Sequence, residues 1–369
     1  MPFNLKKIPA KVEAFRYHIV KSSMPFSISR SIPELWRQRR ELTRRKQTIG
    51  LVPTMGALHA GHISLIRQAA RENNSVYVSI YVNPTQFGVK EDLNSYPRTW
   101  NNDIDILKEL CQQFEHEHRD FQFMTVFAPD TTTMYPGLPP TSEIAGDGSF
   151  VTITPLATLL EGASRPVFFR GVATVVMKLL NIVQPDKVYF GQKDIQQTII
   201  VTRMVEDFHV DTEVRVGPTI REEDGLAMSS RNVYLGKRRR AVGTVLWRAL
   251  QAAAQAYAAG RTKRSELLEA AQQVISSMLE SQRKLGPRKR ALFEVDYISV
   301  AHPSFMTEVE DIDRREGAVL IGAIKMLPLE DVQKGEDAGL GDGVSPVRLI
   351  DNIILQGEGN VKSGDEVTP

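Results

Sequence analysis

A short apolar run, Ile49 to Val52, leads into Pro53-Thr54-Met55-Gly56-Ala57-Leu58-His59-Ala60-Gly61-His62, and an amphipathic stretch from Ile63 to Glu72 follows. This order reads as strand, glycine-containing turn and helix, the first half of a βαβ unit. It constrains the chain more than any other feature, because it places paired histidines where a helix begins. A helix N-terminus offers unpaired N–H groups and partial positive charge, which makes it a site for anions. Imidazoles there can donate to phosphate oxygens, and Gly61 lets a nucleotide come close to the backbone. The plainer alternative is that one histidine caps the helix and the other packs. The position of this H-x-G-H motif directly after a strand favours nucleotide binding.

The same alternation continues downstream. Strands are expected at Ile49–Val52, Val76–Val82, Met124–Phe127, Val151–Thr154, Lys187–Phe190 and Val210–Val216. Helices are expected at Ile32–Thr43, His62–Glu72, Asn101–Phe114, Gly171–Val183 and Ile195–Asp207. This is an α/β pattern with a mostly parallel sheet, whose ligands sit at the carboxyl ends of the strands. His59 and His62, Asn83 and Gln86, and Lys193 and Asp194 each follow an expected strand, so one cleft can collect them. A second signal is Asp224-Gly225-Leu226-Ala227-Met228-Ser229-Ser230-Arg231-Asn232. Two hydroxyls and a guanidinium fork on a short loop suit a triphosphate. Alone, this segment could be a solvated turn.

Taken together, the two segments resemble the HIGH and KMSKS signatures of the nucleotidyltransferase superfamily. Thr54-Met55-Gly56, Tyr81-Val82-Asn83-Pro84-Thr85-Gln86-Phe87, Leu160-Glu161-Gly162-Ala163-Ser164-Arg165-Pro166, Phe190-Gly191-Gln192-Lys193-Asp194 and Gly225 to Asn232 occur in that order. They resemble pantothenate synthetase, the pantoate–β-alanine ligase family. The likeness is dense from Ile49 to Leu235 and looser up to Leu349-Ile350-Asp351-Asn352, which is similar to the family's closing strand. It implies a Rossmann-like nucleotidyltransferase domain followed by a smaller α+β C-terminal domain. The implied reaction joins pantoate to β-alanine at the expense of ATP, through a pantoyl adenylate. Other H-x-G-H nucleotidyltransferases, or a non-catalytic nucleotide-binding regulator, are the competing readings. The first would need cationic groups in place of Gln86 and Gln197.

The resemblance also implies roles for individual residues. His59, His62, Lys193, Ser229, Ser230 and Arg231 would carry catalysis and hold the phosphates. Pro53, Thr54, Met55, Gly56, Gly191, Asp194 and Met228 would complete the ATP site. For Lys193 the alternative is a surface lysine, and for Asp194 a helix N-cap. Met55, Asn83, Gln86, Arg165 and Gln197 would hold pantoate, with Gln192 and Gln196 as nearby decoys. Glu161 is expected to organise its loop by ion pairing. Mg²⁺ would arrive with ATP, and Asp103 is the candidate protein ligand, although Asn102 stands where the family has a second acid. Phe168 replaces a histidine in the family's R-P-x-H-F-R-G.

Composition narrows the class further. The chain has 369 residues, 42% hydrophobic and 24% charged, with a net charge of +2. That balance gives no general argument for nucleic acid as a partner, and no run is long and apolar enough for a membrane span. One cysteine, Cys111, excludes an intrachain disulfide and fits a reducing compartment. The segment 1–30 is basic, with Lys6, Lys7, Lys11, Arg16, Lys21 and Arg30 against Glu13. It is expected to be a cytosolic extension, with a mitochondrial transit peptide as the alternative. The expected divisions are this extension, a Rossmann-like domain over 31–216, a lid domain over 217–356 and a disordered tail over 357–369. Gln112–Gln122 is expected to loop out, and Glu330–Gly343 to be a mobile surface loop. The resemblance implies a homodimer, with the surface near Val76–Tyr81 contributing.

Overall fold

The computed structural model describes residues 26–89, 91–137 and 147–357. In chain order the elements are β1 (Phe26–Ser29), α1 (Ile32–Arg44), β2 (Ile49–Thr54), α2 (Ala60–Glu72), β3 (Ser75–Ile80), α3 (Trp100–Glu117) and β4 (Phe123–Phe127). Two short turns, α4 (Thr131–Met134) and α5 (Glu161–Ser164), precede α6 (Phe168–Val183), β5 (Lys187–Gly191), α7 (Ile195–Asp207) and β6 (Glu213–Gly217). The C-terminal part holds α8 (Gly236–Gly243), α9 (Val245–Ala258), α10 (Arg264–Arg283), β7 (Phe293–Ala301), β8 (Ala318–Met326) and β9 (Val347–Leu355).

The first six strands form one parallel sheet in the order β1-β4-β3-β2-β5-β6. From β2 the chain builds outward to β3 and β4, then returns to lay β5 on the opposite side of β2. This reversal is a topological switch point, and crevices open there beyond the carboxyl ends of the strands. The β2–β5 ladder pairs only Gly50 with Lys187 and Leu51 with Val188. Beyond that register the two strands separate, and the turns that follow them face the gap.

Burial explains why the sheet reads as apolar runs. Val76, Tyr77 and Val78 on β3, and Leu51 and Val52 on β2, have almost no exposure. One face packs on α2 and α3 through Ile66, Leu107 and Phe114. The other packs on α6 and α7 through Phe169, Val176, Leu180 and Val201. Both faces of a parallel sheet are covered in this way. Since β3 lies inside the sheet, Val76, Tyr77 and Val78 themselves add almost no surface to the region near Val76–Tyr81. The second sheet is antiparallel, β7-β8-β9, and α9 and α10 pack on it through Leu246, Leu250, Leu267 and Ile324.

Several other expectations are corrected. Val151–Thr154 forms no strand and joins no sheet; the Val151 amide donates to Thr174 Oγ1 at 2.9 Å instead. The sheet starts at Phe26, inside the segment read as an extension, because β1 pairs with β4. Residues 1–25, and with them the transit-peptide question, lie outside the described residues, as does nearly all of the expected tail. Helix α3 runs on to Glu117, so most of the Gln112–Gln122 segment is not a loop. Beyond the parallel sheet, α8 and α9 are separated only at Thr244. No helix among the described residues is long and apolar enough to cross a membrane.

Candidate active site

The turn after β2 is built by hydrogen bonds from distant elements. Thr54 Oγ1 donates to the Ser79 carbonyl at 2.7 Å and accepts from the Gly56 amide at 3.2 Å. Gly56 and Ala57 then take positive φ angles of 83° and 51°. Asp103, on α3, holds the turn: its carboxylate accepts from the Ala57 and Leu58 amides, both at 2.9 Å, and from Thr99 Oγ1 at 3.0 Å. Asp103 is 1% exposed. Its oxygens are occupied by the backbone of the histidine turn and do not reach the cleft. The expectation of a metal ligand there is therefore corrected: Asp103 is a positioning residue for the H-x-G-H segment.

His59 occupies the N-cap of α2. Its Nδ1 accepts from the Gly61 amide at 3.2 Å, and His62 Nδ1 accepts from the His59 amide at 3.4 Å. The rings lie with centroids 4.1 Å apart. Because each Nδ1 is an acceptor, each ring in its neutral form carries its proton on Nε2, which remains a donor. Burial, followed by the Lys193 charge, lowers the pKa of His59 to about 4. Burial, followed by His59 and Lys193, lowers that of His62 to about 3. Capping occupies only Nδ1, so it does not exclude ligand donation, which looked like its alternative in the sequence.

The cleft around these rings has a volume of about 1350 Å³. Its walls include Pro53, Thr54, Met55, His59 and His62 from the β2 turn, and Gly191, Lys193, Asp194 and Gln197 from the β5 side. Met228, Ser229, Ser230 and Arg231 supply a third wall, and Asn83, Gln86 and Arg165 a fourth. Gly56 is not on the wall, and its contribution is the sharp turn. Ser230 Oγ donates to the Ala57 carbonyl at 2.9 Å. That bond ties the serine-rich segment directly to the histidine turn. Arg231 is held by Asp92 through two bonds of 2.8 Å, so its fork is positioned by a carboxylate beside the cleft. Lys193 Nζ lies 3.5 Å from Asp194. Asp194 stands at the N-cap of α7 but makes no side-chain capping bond.

On the fourth wall, Gln86 Nε2 donates to Met55 Sδ at 3.4 Å, and its Oε1 accepts from Asn83 Nδ2 at 3.0 Å. Asn83 is 1% exposed and fully engaged. It also donates to the Gly171 carbonyl at 3.1 Å and accepts from Thr85 and Tyr135. Asn83 therefore orients Gln86 through an amide whose donors and acceptor are already engaged. A Cβ on Gly171 would lie 2.4 Å from the Thr85 carbonyl and 2.5 Å from Gln86 Cα. This explains why glycine is needed where α6 meets the Gln86 turn.

The turns at the parallel sheet and the C-terminal antiparallel sheet meet along a chain of alternating charges. Arg165 pairs with Glu91 and Glu161, Glu161 with Arg348, and Arg348 with Asp296. Glu161 thus organises its loop by ion pairing. The Arg165 guanidinium lies 3.8 Å from the centre of the Phe168 ring. Phe168, which stands where the family motif has histidine, therefore gives Arg165 a flat cation–π platform. Gln196 is a decoy as read: it donates to the Leu156 and Leu159 carbonyls and faces away from the cleft. Gln192 bonds to Asn352.

A sequence model of the family described as Pantoate-beta-alanine ligase matches residues 27–354. The chain belongs to the pantoate–β-alanine ligase family. Its activity is that ligation, which forms pantothenate. A pantothenate synthetase of Chloroflexus aurantiacus is 44% identical over 311 residues, covering 84% of this chain and 93% of the relative. A pantoate–β-alanine ligase of Saccharomyces cerevisiae is 39% identical over 325 residues, covering 87% and 96%. The crystal structure of the Thermus thermophilus enzyme superposes with a TM-score of 0.69 at 37% identity, covering 89% of this chain and 99% of that one. A Francisella tularensis ligase, solved in complex with βγ-ATP and β-alanine, gives 0.62 at 31% identity, covering 89% and 97%.

Within this family assignment, the residue that sequence reading missed is Asn352 on β9. Its Nδ2 donates to the Gln192 and Lys193 carbonyls at 2.8 and 2.9 Å, so the C-terminal sheet fixes the lysine turn. Its neighbour Asp351 holds Arg221 through bonds of 2.6 and 2.9 Å. The signal was the closing Leu349–Asn352 motif, which resembled the family without showing what its side chains reach.

Proposed function

We propose that this cleft forms pantothenate in two half-steps, with ATP on the His59–His62–Lys193–Ser229–Ser230–Arg231 side and pantoate beside Gln86 and Gln197. The observation that carries this reading is the Ser230–Ala57 bond at the switch point. It places hydroxyls, neutral imidazole donors and the Lys193 ammonium around one crevice. In the first step a pantoate carboxylate oxygen bonds to the α-phosphorus as the bond to the pyrophosphate oxygen breaks. In the second, the β-alanine nitrogen bonds to the acyl carbon, loses a proton, and AMP leaves with the carboxylate oxygen. Such chemistry rests on positioning and on donors aimed at developing charge. The Francisella relative bound to βγ-ATP and β-alanine supports the substrate pair.

Mg²⁺ belongs to the same proposal. Among the described residues there is no group of three or more His, Cys, Asp or Glu able to hold a metal. The proposed ion would be carried mainly by phosphates and water. When bound, it would neutralise triphosphate charge.

Carboxylate-¹⁸O pantoate tests the route. Label is expected in AMP; label in inorganic phosphate would show an acyl phosphate and overturn the reading. We also infer a homodimer from the family likeness. Sedimentation equilibrium should give twice the 41.4 kDa chain mass; the monomer mass at micromolar concentration would contradict it.

A further inference from the structure

Arg239, on α8, is 1% exposed. Its guanidinium donates to the Leu235 carbonyl at 3.1 Å and to the Tyr234 carbonyl, both directly downstream of the Ser229–Arg231 segment. On its other side it donates to the Ala338 and Ser345 carbonyls, at 3.2 and 2.7 Å. A buried guanidinium is costly unless its donors are satisfied. Here they join two stretches of backbone about a hundred residues apart in the chain.

The second stretch, 336–346, overlaps the Glu330–Gly343 segment expected to be a mobile surface loop. Instead it is laced to the phosphate side of the cleft. The Lys237 amide donates to the Asp337 carbonyl, and the Leu340 amide to the Val233 carbonyl, both at 2.9 Å. Arg238 pairs with Glu336, its Nη2 at 3.0 Å. Two glycines make this approach possible. A Cβ on Gly236 would lie 2.3 Å from Ala338 C, and one on Gly339 would lie 2.4 Å from the Tyr234 carbonyl oxygen. Both have positive φ, 59° and 82°. The far end of the segment reaches the cleft, where Leu340, Gly341, Val344 and Ser345 are wall residues. Leu340 and Val344 are 51% and 71% exposed, large apolar groups standing open beside a site for a charged ligand.

We propose that segment 336–346, pinned by Arg239, is a strap that positions the Ser229–Arg231 turn for the ATP triphosphate. Arg239 is a positioning residue: it acts through the backbone at Tyr234 and Leu235 and touches no substrate. The proposal rests on the assignment of ATP to this side of the cleft. It predicts that ATP tightens the strap and that loosening the strap weakens ATP more than pantoate.

Two experiments test it. The first is amide hydrogen exchange on the wild-type full chain, with and without a non-hydrolysable ATP analogue. Exchange at Lys237 and Leu340 should slow by about tenfold or more, together with exchange at Gly61 and Ile63 in the histidine turn. Protection at Gly61 and Ile63 without change at Lys237 and Leu340 overturns the strap and leaves the ATP site standing. Absence of protection at both overturns the ATP assignment itself. The second compares Gly339→Ala with Arg239→Lys, which keeps a cation. Gly339→Ala should raise the KM for ATP about tenfold and move that for pantoate less than twofold, while Arg239→Lys should be milder. Equal changes in both KM values, or none, would overturn the proposal.

Discussion

Replacing either His59 or His62 by alanine is expected to slow pantoate-dependent pyrophosphate release by roughly two orders of magnitude or more. Loss of a preorganised donor to a transition-state oxygen has effects of this size. Each imidazole uses Nδ1 to bind backbone, so each neutral ring keeps its proton on Nε2 and needs no further reorganisation to donate. The fold should survive, because Asp103 holds the preceding turn independently. Near-normal adenylation in both variants would reduce the histidines to capping and packing. The pH dependence gives a second reading of the same geometry. Both pKa values lie below the ordinary 6.5, at about 4 and about 3, and burial is the larger cause. The unfolded chain therefore binds more protons than the native one between pH 6.5 and these values. Stability attributable to the pair is fully present above 6.5 and is lost as pH falls through that window. In the ligand-free protein, ring carbon shifts followed by NMR should stay flat from pH 8 to pH 5. Titration of either ring near 6.5 would show that it is solvated and free.

Gln86→Ala is expected to raise the KM for pantoate by about one to two orders of magnitude, the loss of a hydrogen bond that leaves its partner unpaired. The amide of Gln86 is set in place from two sides, by Asn83 and by Met55. It can therefore meet a hydroxyl without first being ordered. The KM for ATP should stay nearly unchanged, since His59, His62 and Lys193 are intact. Equal weakening of ATP and pantoate in steady-state kinetics would show that the division of the cleft between them is wrong.

Sequence alone was sufficient for the parts of this protein written in local order. Strand-turn-helix periodicity, glycine at turns and five ordered motifs identified an α/β fold and the main segments that line the cleft: the histidine turn, the Gln86 turn, the lysine turn and Met228–Arg231. They did so because a helix start or a strand end is decided by neighbours within a few positions. Long-range partnerships carry no such signature. Asp103 reads as an acid near the start of a helix, and only packing of α3 against β2 shows that it grips the Ala57 and Leu58 amides. Asn83 and Gln86 read as equivalent amides, yet burial against Gly171 and Tyr135 makes the first a support for the second. Val76–Ile80 is an apolar run whose partners its neighbours do not name, and the strand order places it inside the sheet. The charged, glycine-rich stretch before β9 has the composition of a free loop. Tertiary structure decided otherwise, because the buried Arg239 guanidinium must donate to carbonyls that only the folded chain brings together.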